Sequence, residues 1–361
     1  MSIAVFEIEK PKYISVTLGE QSSVSTETTP PSAFLTQIML GSLATQALYV
    51  AAKLGLADLL AGGPKPVEEL ATATNTDAAA LYRVLRALAS VGVFTEQGSR
   101  VFALTAPAAA LRSDVPNSMR DVAIFWGEEW HWNVWGKLIH SVRTGNPAWD
   151  QVHGEAVFPY FEKHPEAGEI FNRAMSSFSG VATEAVLDAY DFTGIETLVD
   201  IAGGFGRLLT GILQVHPQMR GVLFDLPQVI AGAREKVAQT AVNDRVELVG
   251  GDFFVSVPEG ADAYILKSII HDWDDERALT ILKNIKRAMK PGARVLLVEA
   301  IIAGGNNQDF GKLIDLEMLM SPGGKERTAN EYRELFARAG LKLNRIVCTK
   351  SPFSVIEAIA A

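Results

Sequence analysis

The sequence predicts an α/β chain in which a mainly α, winged-helix-like front part precedes a doubly wound parallel sheet with an antiparallel hairpin at one edge. Three observations predict it. Leu198-Val199-Asp200-Ile201 reads as a short buried strand and runs into Ala202-Gly203-Gly204-Phe205-Gly206, a turn whose glycines let a ligand approach the backbone. From Thr197 onward strand-like and helix-like runs alternate. Between Pro66 and Leu104 the order is helix, capped helix, hairpin.

Ahead of the sheet the chain divides into three parts. Residues 1–32, rich in Ser, Thr, Glu and Pro toward their end, read as a flexible arm with one strand near Tyr13–Leu18. Residues 33–115 open with apolar positions at helical spacing from Phe34 to Leu60, and so much uncharged helix predicts burial against another copy of the chain. From Thr28 to Ala52 there is no charge, enough to span a bilayer, but Thr36, Gln37, Ser42, Thr45 and Gln46 favour a buried amphipathic helix. Helices Val67–Ala73 and Ala78–Val91 and a hairpin around Glu96-Gln97-Gly98-Ser99 then outline the winged helix. Such a unit either reads DNA or packs; Lys65, Arg83, Arg86 and Arg100 are balanced by Glu68, Glu69, Asp77 and Glu96, which favours packing. Residues 116–188 read as a helical linker, and their aromatic density, with Phe125, Trp130, Phe158 and Phe171 among others, suits a shared core and pocket wall.

Residues 189–361 form the sheet region. Strands are expected at Leu198–Ile201, Gly221–Phe224, Val246–Val249, Ala263–Leu266 and Arg294–Val298, parallel because helices largely separate them. Helices are expected at Arg207–Val215, Pro227–Thr240, Asp275–Met289, Asp309–Met320 and Asn330–Ala339. Leu341–Thr349 and Phe353–Ala358, joined without a helix, make the edge hairpin.

Composition limits the functions available. A net charge of −9 argues against a general nucleic-acid binder. The single cysteine, Cys348, forbids an internal disulfide, and Glu7, Glu9 and Lys10 interrupt any secretory pattern, so a cytoplasmic home is expected. Six scattered histidines offer no zinc-ligand spacing, and no metal is expected.

The glycine turn gives Gly204 and Gly206 of a dinucleotide fingerprint but Leu209 where its third glycine belongs, which weakens a nicotinamide cofactor without removing it. Asp225 stands at the end of the second strand, where a ribose-binding carboxylate belongs. Asp252-Phe253, after the third, suits the edge and face of adenine. His271 follows the fourth strand at the sheet's carboxyl rim, and Glu299 and Glu326 can reach it, a set suited to a general base held by acids.

These segments recur together. Val199–Gly206, Phe224-Asp225-Leu226-Pro227, Gly250-Gly251-Asp252-Phe253, Leu266-Lys267 through His271-Asp272-Trp273 and Gly323-Gly324-Lys325-Glu326-Arg327-Thr328 resemble the S-adenosylmethionine-dependent O-methyltransferases of the plant caffeate and bacterial natural-product type. The resemblance runs from about Phe34 to the C-terminus and implies a Rossmann-like catalytic domain behind a winged-helix dimerisation domain. It implies that Ala202, Gly203 and Gly204 hold the amino-acid part of S-adenosyl-L-methionine, Asp225 its ribose, Asp252 and Phe253 its adenine and Lys267 its methionine end. It implies that His271 takes the acceptor's hydroxyl proton with Glu299 and Glu326 bracketing its ring, and that Phe171, Met175 and Met318 belong to the acceptor pocket. A homodimer through the N-terminal helices, each lending residues to its partner's site, is implied too.

Two positions depart from that pattern. Ala202 replaces the first of three alternate glycines; main-chain contacts survive provided the backbone needs no positive φ there. Glu317 replaces an apolar residue beside Met318, and reads either as a solvated helix face or as a group meeting a polar, cationic or hydroxyl-bearing acceptor. The function expected is methyl transfer to a phenolic hydroxyl of a small specialised metabolite. The alternatives are C-methylation or hydroxylation by a relative and, from another class, a ligand-sensing winged-helix regulator.

Overall fold

In the computed structural model, residues 30–306 and 308–361 are described; the expected strand near Tyr13–Leu18 and most of the expected flexible arm lie outside them. The front part holds α1 (Pro31–Lys53), α2 (Leu56–Leu59), β1 (Lys65–Pro66), α3 (Val67–Thr74), α4 (Ala78–Ser90), β2 (Phe94–Glu96), β3 (Val101–Leu104) and α5 (Ala106–Ala109). Helix α1 starts three residues before Phe34, because Pro31 at the first helical position needs no backbone N–H partner. Asp77 caps α4 by accepting from the Ala80 N–H at 2.7 Å. The three short strands pair antiparallel in the order β1-β3-β2, and Leu56, Leu70, Leu85, Phe94 and Phe102 fill the core beneath them.

The N-terminal half of helix α1 is not buried against its own chain. Leu35, Ile38, Met39, Leu40 and Leu43 are exposed, and only Ala51 and Ala52 at its far end are fully covered. It is long and apolar enough to cross a membrane by length and composition. The apolar surface that the sequence assigns to a second copy is thus open on the single chain.

Six helices follow: α6 (Arg120–Gly127), α7 (Glu129–Trp135), α8 (Leu138–Thr144), α9 (Ala148–His153), α10 (Val157–Lys163) and the long α11 (Pro165–Ala189). Their aromatic rings interlock edge to face: Trp130 lies 5.6 Å from Phe161 and 6.1 Å from Trp149, and Phe161 stacks on Phe171 at 4.7 Å.

The sheet region comprises β4 (Thr197–Ile201), α12 (Arg207–Val215), β5 (Arg220–Asp225), α13 (Pro227–Ala238), β6 (Val246–Gly250), β7 (Ala263–Lys267), α14 (Asp275–Ala288), β8 (Arg294–Ala300), α15 (Phe310–Met320), α16 (Ala329–Arg338), β9 (Leu341–Cys348) and β10 (Phe353–Ala360). The strand order is β6-β5-β4-β7-β8-β10-β9. The first five strands are parallel; β10 pairs antiparallel with both β8 and β9, so the hairpin's second strand lies inside its first. Buried residues such as Val199, Tyr264, Leu282 and Phe336 pack one face and Leu198, Leu209, Ile212 and Ile265 the other, covering both faces as a parallel sheet requires. The carboxyl ends of β4, β5, β7 and β8 therefore converge on one rim.

Candidate active site

At the end of β4 the chain turns through Ala202 (φ 54°), Gly204 (φ 58°) and Gly206 (φ 78°) into α12. The condition attached to Ala202 is not met: its backbone does adopt a positive φ, and the methyl group is held in a conformation that glycine takes without strain. The Ala202 N–H donates to the Phe224 carbonyl at 2.7 Å, fixing the turn to β5. Gly203 is required for space rather than for torsion, since a Cβ there meets Asp200 Oδ2 and Leu223 Cδ1, each at 2.5 Å. Asp225 receives the Gly204 N–H at 2.8 Å on one oxygen and the Leu226 N–H at 2.7 Å on the other, so the acid supports the glycine turn while keeping lone pairs for a ligand.

Two titratable groups beside the turn keep polar atoms without partners among the described residues. Asp200 is buried with Oδ2 unpartnered, and burial pushes its carboxyl up to about 7. Lys267, at the end of β7, makes no hydrogen bond or ion pair among the described residues; burial lowers its ammonium pKa, opposed by Asp200, Glu299 and Asp272. Asp252 and Phe253 follow β6, which pairs Gly250 with Asp225. Asp252 is exposed and closes its own turn by accepting from the Phe254 N–H at 2.8 Å, and Phe253 lies edge-on to Trp273 at 6.0 Å.

His271 sits in a 3-10 turn, Ile270–Asp272, beyond Ser268, another non-glycine residue with positive φ (55°). The expectation that Glu299 and Glu326 bracket the ring is corrected: both lie at Nδ1, Glu326 Oε1 at 2.7 Å and Glu299 Oε2 at 3.5 Å, because both arrive from the β8 side. Among the described residues only Asp272 Oδ1, at 3.5 Å, lies near Nε2. Nδ1 is anchored by a charge-assisted hydrogen bond, and Nε2 is held only by the longer Asp272 contact among the described residues. Burial alone lowers the imidazole pKa, but Glu299, Asp272 and Glu326 outweigh it and push it up to about 10. Burial raises Glu299 to about 7 and Asp272 to about 6. Ligand atoms of His271, Glu299 and Glu326 lie within 4.8 Å of one another.

The turn is tied down from several sides. Glu299 Oε1 accepts the N–H groups of Ile269 (3.1 Å) and Ile270 (2.9 Å). The Lys325 N–H donates to the His271 carbonyl at 2.8 Å, and a Cβ on Gly324 meets that carbonyl at 1.9 Å. Asp315 of α15 receives the Glu326 N–H at 2.8 Å. Arg327, fully buried, donates to the carbonyls of Ile270 (3.0 Å) and Trp273 (2.9 Å) and to Asp275 (2.9 Å).

Phe171 and Met175 of α11 pack into one cluster with Phe125 and Trp130, and Met318 is buried on α15. Glu317 is not on a solvated face: it is 7% exposed and paired with His131 of α7, Nε2 to Oε1, at 2.9 Å. Phe158 lies 5.8 Å from Trp273, joining this aromatic layer to the base turn. A separate cavity of about 1010 Å³ between α1 and α7, lined by residues including Thr45, Trp126 and Trp135, touches none of the expected site residues. Sequence reasoning missed Arg327 and Asp272 as supports of the base, though both lie in the motifs quoted; it missed His131 outright, since nothing in Trp130-His131-Trp132 marks a partner so far along the chain.

The chain matches the O-methyltransferase domain over residues 135–342 and the O-methyltransferase dimerisation domain over 36–114. It is 47% identical to the phenazine O-methyltransferase PhzM of Lysobacter antibioticus, covering 91% of this chain and 96% of that protein. It is 38% identical to the 8-amino-8-demethylriboflavin N,N-dimethyltransferase of Streptomyces davaonensis, covering 86% and 90%. The crystal structure of LaPhzM superimposes with a TM-score of 0.89 at 46% identity, over 92% of this chain and 100% of that one. The chain belongs to the O-methyltransferase family, a methyltransferase that uses S-adenosylmethionine as its co-substrate.

Proposed function

We propose that the protein moves the methyl group of S-adenosylmethionine to a phenolic hydroxyl of a small aromatic specialised metabolite, with His271 as general base. The observation that carries this reading is the asymmetry at His271: Nδ1 is bonded to Glu326 at 2.7 Å, while among the described residues Nε2 has only Asp272, at 3.5 Å. A phenol ionises near pKa 10, so presenting its free anion at pH 7 costs about 4 kcal/mol. An imidazole pushed up to about 10 matches that proton affinity, and transfer from the hydroxyl to Nε2 is close to balanced. The oxygen attacks the methyl carbon, the C–O bond forms as the C–S bond breaks, and the proton rests on Nε2 while S-adenosylhomocysteine departs. The donor's sulfonium charge opposes a proton on the same base before the acceptor arrives.

The glycine turn Ala202-Gly203-Gly204, Asp225, Asp252, Phe253 and Lys267 form the donor seat. Support for this comes from the unpartnered oxygen of Asp200, the unpaired ammonium of Lys267 and the lack of room for a Cβ at Gly203. Phe171, Met175, Met318 and Glu317 wall the acceptor's chamber. The protein works as a homodimer in the cytoplasm, each exposed α1 covered by the partner subunit, and residues 33–115, 116–188 and 189–361 serve as dimerisation, pocket and catalytic regions; the apolar face of α1 supports the first.

Transfer to nitrogen is the second reading, since relatives include N-methyltransferases. A neutral amine needs no proton removed before it attacks, so it gives no reason for a base held by three acids. Incubation with labelled S-adenosylmethionine and a panel of phenols and arylamines, followed by mass spectrometry, separates the two. His271→Ala is expected to bind S-adenosylhomocysteine normally and to lose about 100- to 10,000-fold in turnover of the phenol. Undiminished methylation by this variant would overturn the assignment.

A further inference from the structure

We propose that His131 and Glu317 form a second polar station in the acceptor chamber, and that the true acceptor carries a hydrogen-bond donor, an amine or a hydroxyl, apart from the atom that is methylated. This rests on the reading of Phe171, Met175 and Met318 as walls of that chamber. His131 is 0% exposed and Glu317 7%, and they meet through Nε2 and Oε1 at 2.9 Å. Their other polar atoms, His131 Nδ1 and Glu317 Oε2, are buried and have no partner among the described residues. Buried polar atoms without partners are rare because each gives up its hydration for nothing. Two such atoms, on residues that hydrogen-bond to each other, mark a place where a partner is brought in from outside.

The chemistry of that partner follows from the proton count. A carboxylate only accepts, so the Nε2–H must donate to Oε1. In the neutral imidazole this leaves Nδ1 with a lone pair. Both free atoms are then acceptors, and a ligand group able to satisfy them must bring N–H or O–H. Position ties the pair to the reaction. The His131 ring lies 4.4 Å from Phe125, which meets Phe171 edge-on at 5.8 Å. Glu317 lies on α15 two residues beyond Asp315, which holds the backbone of Glu326. One short helix thus buttresses the base and carries one half of the pair.

The full-length protein, saturated with S-adenosylhomocysteine, is titrated calorimetrically with 1-naphthol and with 5-amino-1-naphthol, the same ring system without and with a second donor. The wild type is expected to bind the amino compound about 10- to 100-fold more tightly. Glu317→Leu is expected to bring the ratio close to 1. Because that change strands His131 in an apolar setting, Glu317→Leu with His131→Phe is measured beside it; replacing both partners leaves no orphan and preserves packing. Glu317→Gln, which retains a carbonyl acceptor, is expected to keep part of the preference. Equal or absent binding of the two probes by the wild type, or a preference that survives in the double variant, overturns the proposal and makes the pair a structural one. Mass spectrometry of the same mixtures with S-adenosylmethionine separates the two readings. A binding preference with no methylated naphthol counts against phenol methylation alone, and methylated naphthol without a preference counts against this pair alone.

Discussion

Replacing Glu326 with Gln tests how the base is tuned. Glu326 Oε1 holds His271 Nδ1 at 2.7 Å, and the imidazole pKa of about 10 against the ordinary 6.5 represents about 5 kcal/mol of preference for the charged ring. Burial opposes that preference; Glu299, Asp272 and Glu326 supply it. Glutamine retains the shape and an oxygen for the Nδ1–H but removes one of the three negative charges. The base is therefore expected to fall by one to two pKa units, about 1.4–2.7 kcal/mol. The assay is kcat/KM for the acceptor from pH 6 to 10.5 with the donor saturating, which reports groups of the enzyme before the acceptor binds. The wild-type profile should climb through neutrality and bend well above pH 6.5, and the variant's should bend earlier. The acceptor's own ionisation is common to both proteins and drops out of the difference. The sign of the rate effect is also fixed. Only above about pH 10 are both bases largely neutral, and there the variant's is the weaker, so its deficit is greatest at the top of the range. Toward pH 7 its larger neutral fraction offsets that weakness and the two curves approach. Coincident bends, or a wild-type bend at the ordinary histidine value, would refute this account of the site.

The same shift has a consequence for folding: the folded-state pKa of His271 lies above its unfolded value, so its stabilising charge is complete below about pH 6.5 and is lost as pH rises through about 10. Urea midpoints of the wild type should therefore fall more between pH 7 and 9.5 than those of His271→Gln, and parallel falls would contradict it. Gly203→Ala forces a Cβ onto Asp200 and Leu223 and should abolish calorimetric binding of S-adenosylhomocysteine; retained affinity would remove the turn from the donor seat. Ala202→Gly relieves a positive φ and should stabilise the empty protein by about 1 kcal/mol in chemical denaturation, a gain that loss of stability would refute. Arg327→Met removes a buried side chain's bonds to the carbonyls of Ile270 and Trp273 and to half-exposed Asp275, and should cost about 1–3 kcal/mol by the same measurement. Leu43→Glu with Met39→Glu on the open face of α1 should yield a monomer in sedimentation, and a persisting dimer would place the interface elsewhere.

The sheet was legible because its signal is local. Val199, Tyr264 and Val298 belong to buried apolar runs bounded by glycine, proline or acid, and the observed strands begin and end within two residues of those runs. Parallel pairing followed from the intervening helices, and the hairpin from the lack of one between Cys348 and Phe353. Where the rim residues converge was legible as well, since the carboxyl ends of parallel strands share one edge. What escaped depends on contacts between distant segments or on torsions. No pattern joins His131 to Glu317, and a glutamate two positions past Asp315 on a helix reads equally well as solvated or buried. That both acids meet the same nitrogen of His271 is set by the path of the chain after β8 and around Gly324, where a side chain has no space. The positive φ of Ala202 was invisible because alanine is the residue least expected to take it.

These unreadable features fall into one physical class. Ala202 and Ser268 hold left-handed backbone at the ends of β4 and β7, neighbouring strands of the sheet, and Asp200 keeps a buried oxygen without a partner beneath the first of them. Each costs stability in the empty protein, and each stands where a strand delivers its residues to the rim. The base side is built in the opposite way. Glu299 uses one oxygen to fasten Ile269 and Ile270 and turns the other toward His271, so the group that shapes the turn also charges the imidazole. Arg327 then locks the same turn through three further bonds. Backbone strain thus gathers at the ends of β4 and β7, where the proposed donor, a cationic ligand with many hydrogen-bonding groups, can relieve it. Rigidity gathers at His271, where the proposed reaction asks one nitrogen to take a single proton. Donor binding should accordingly stabilise the fold, because the proposed donor seat holds free energy in reserve.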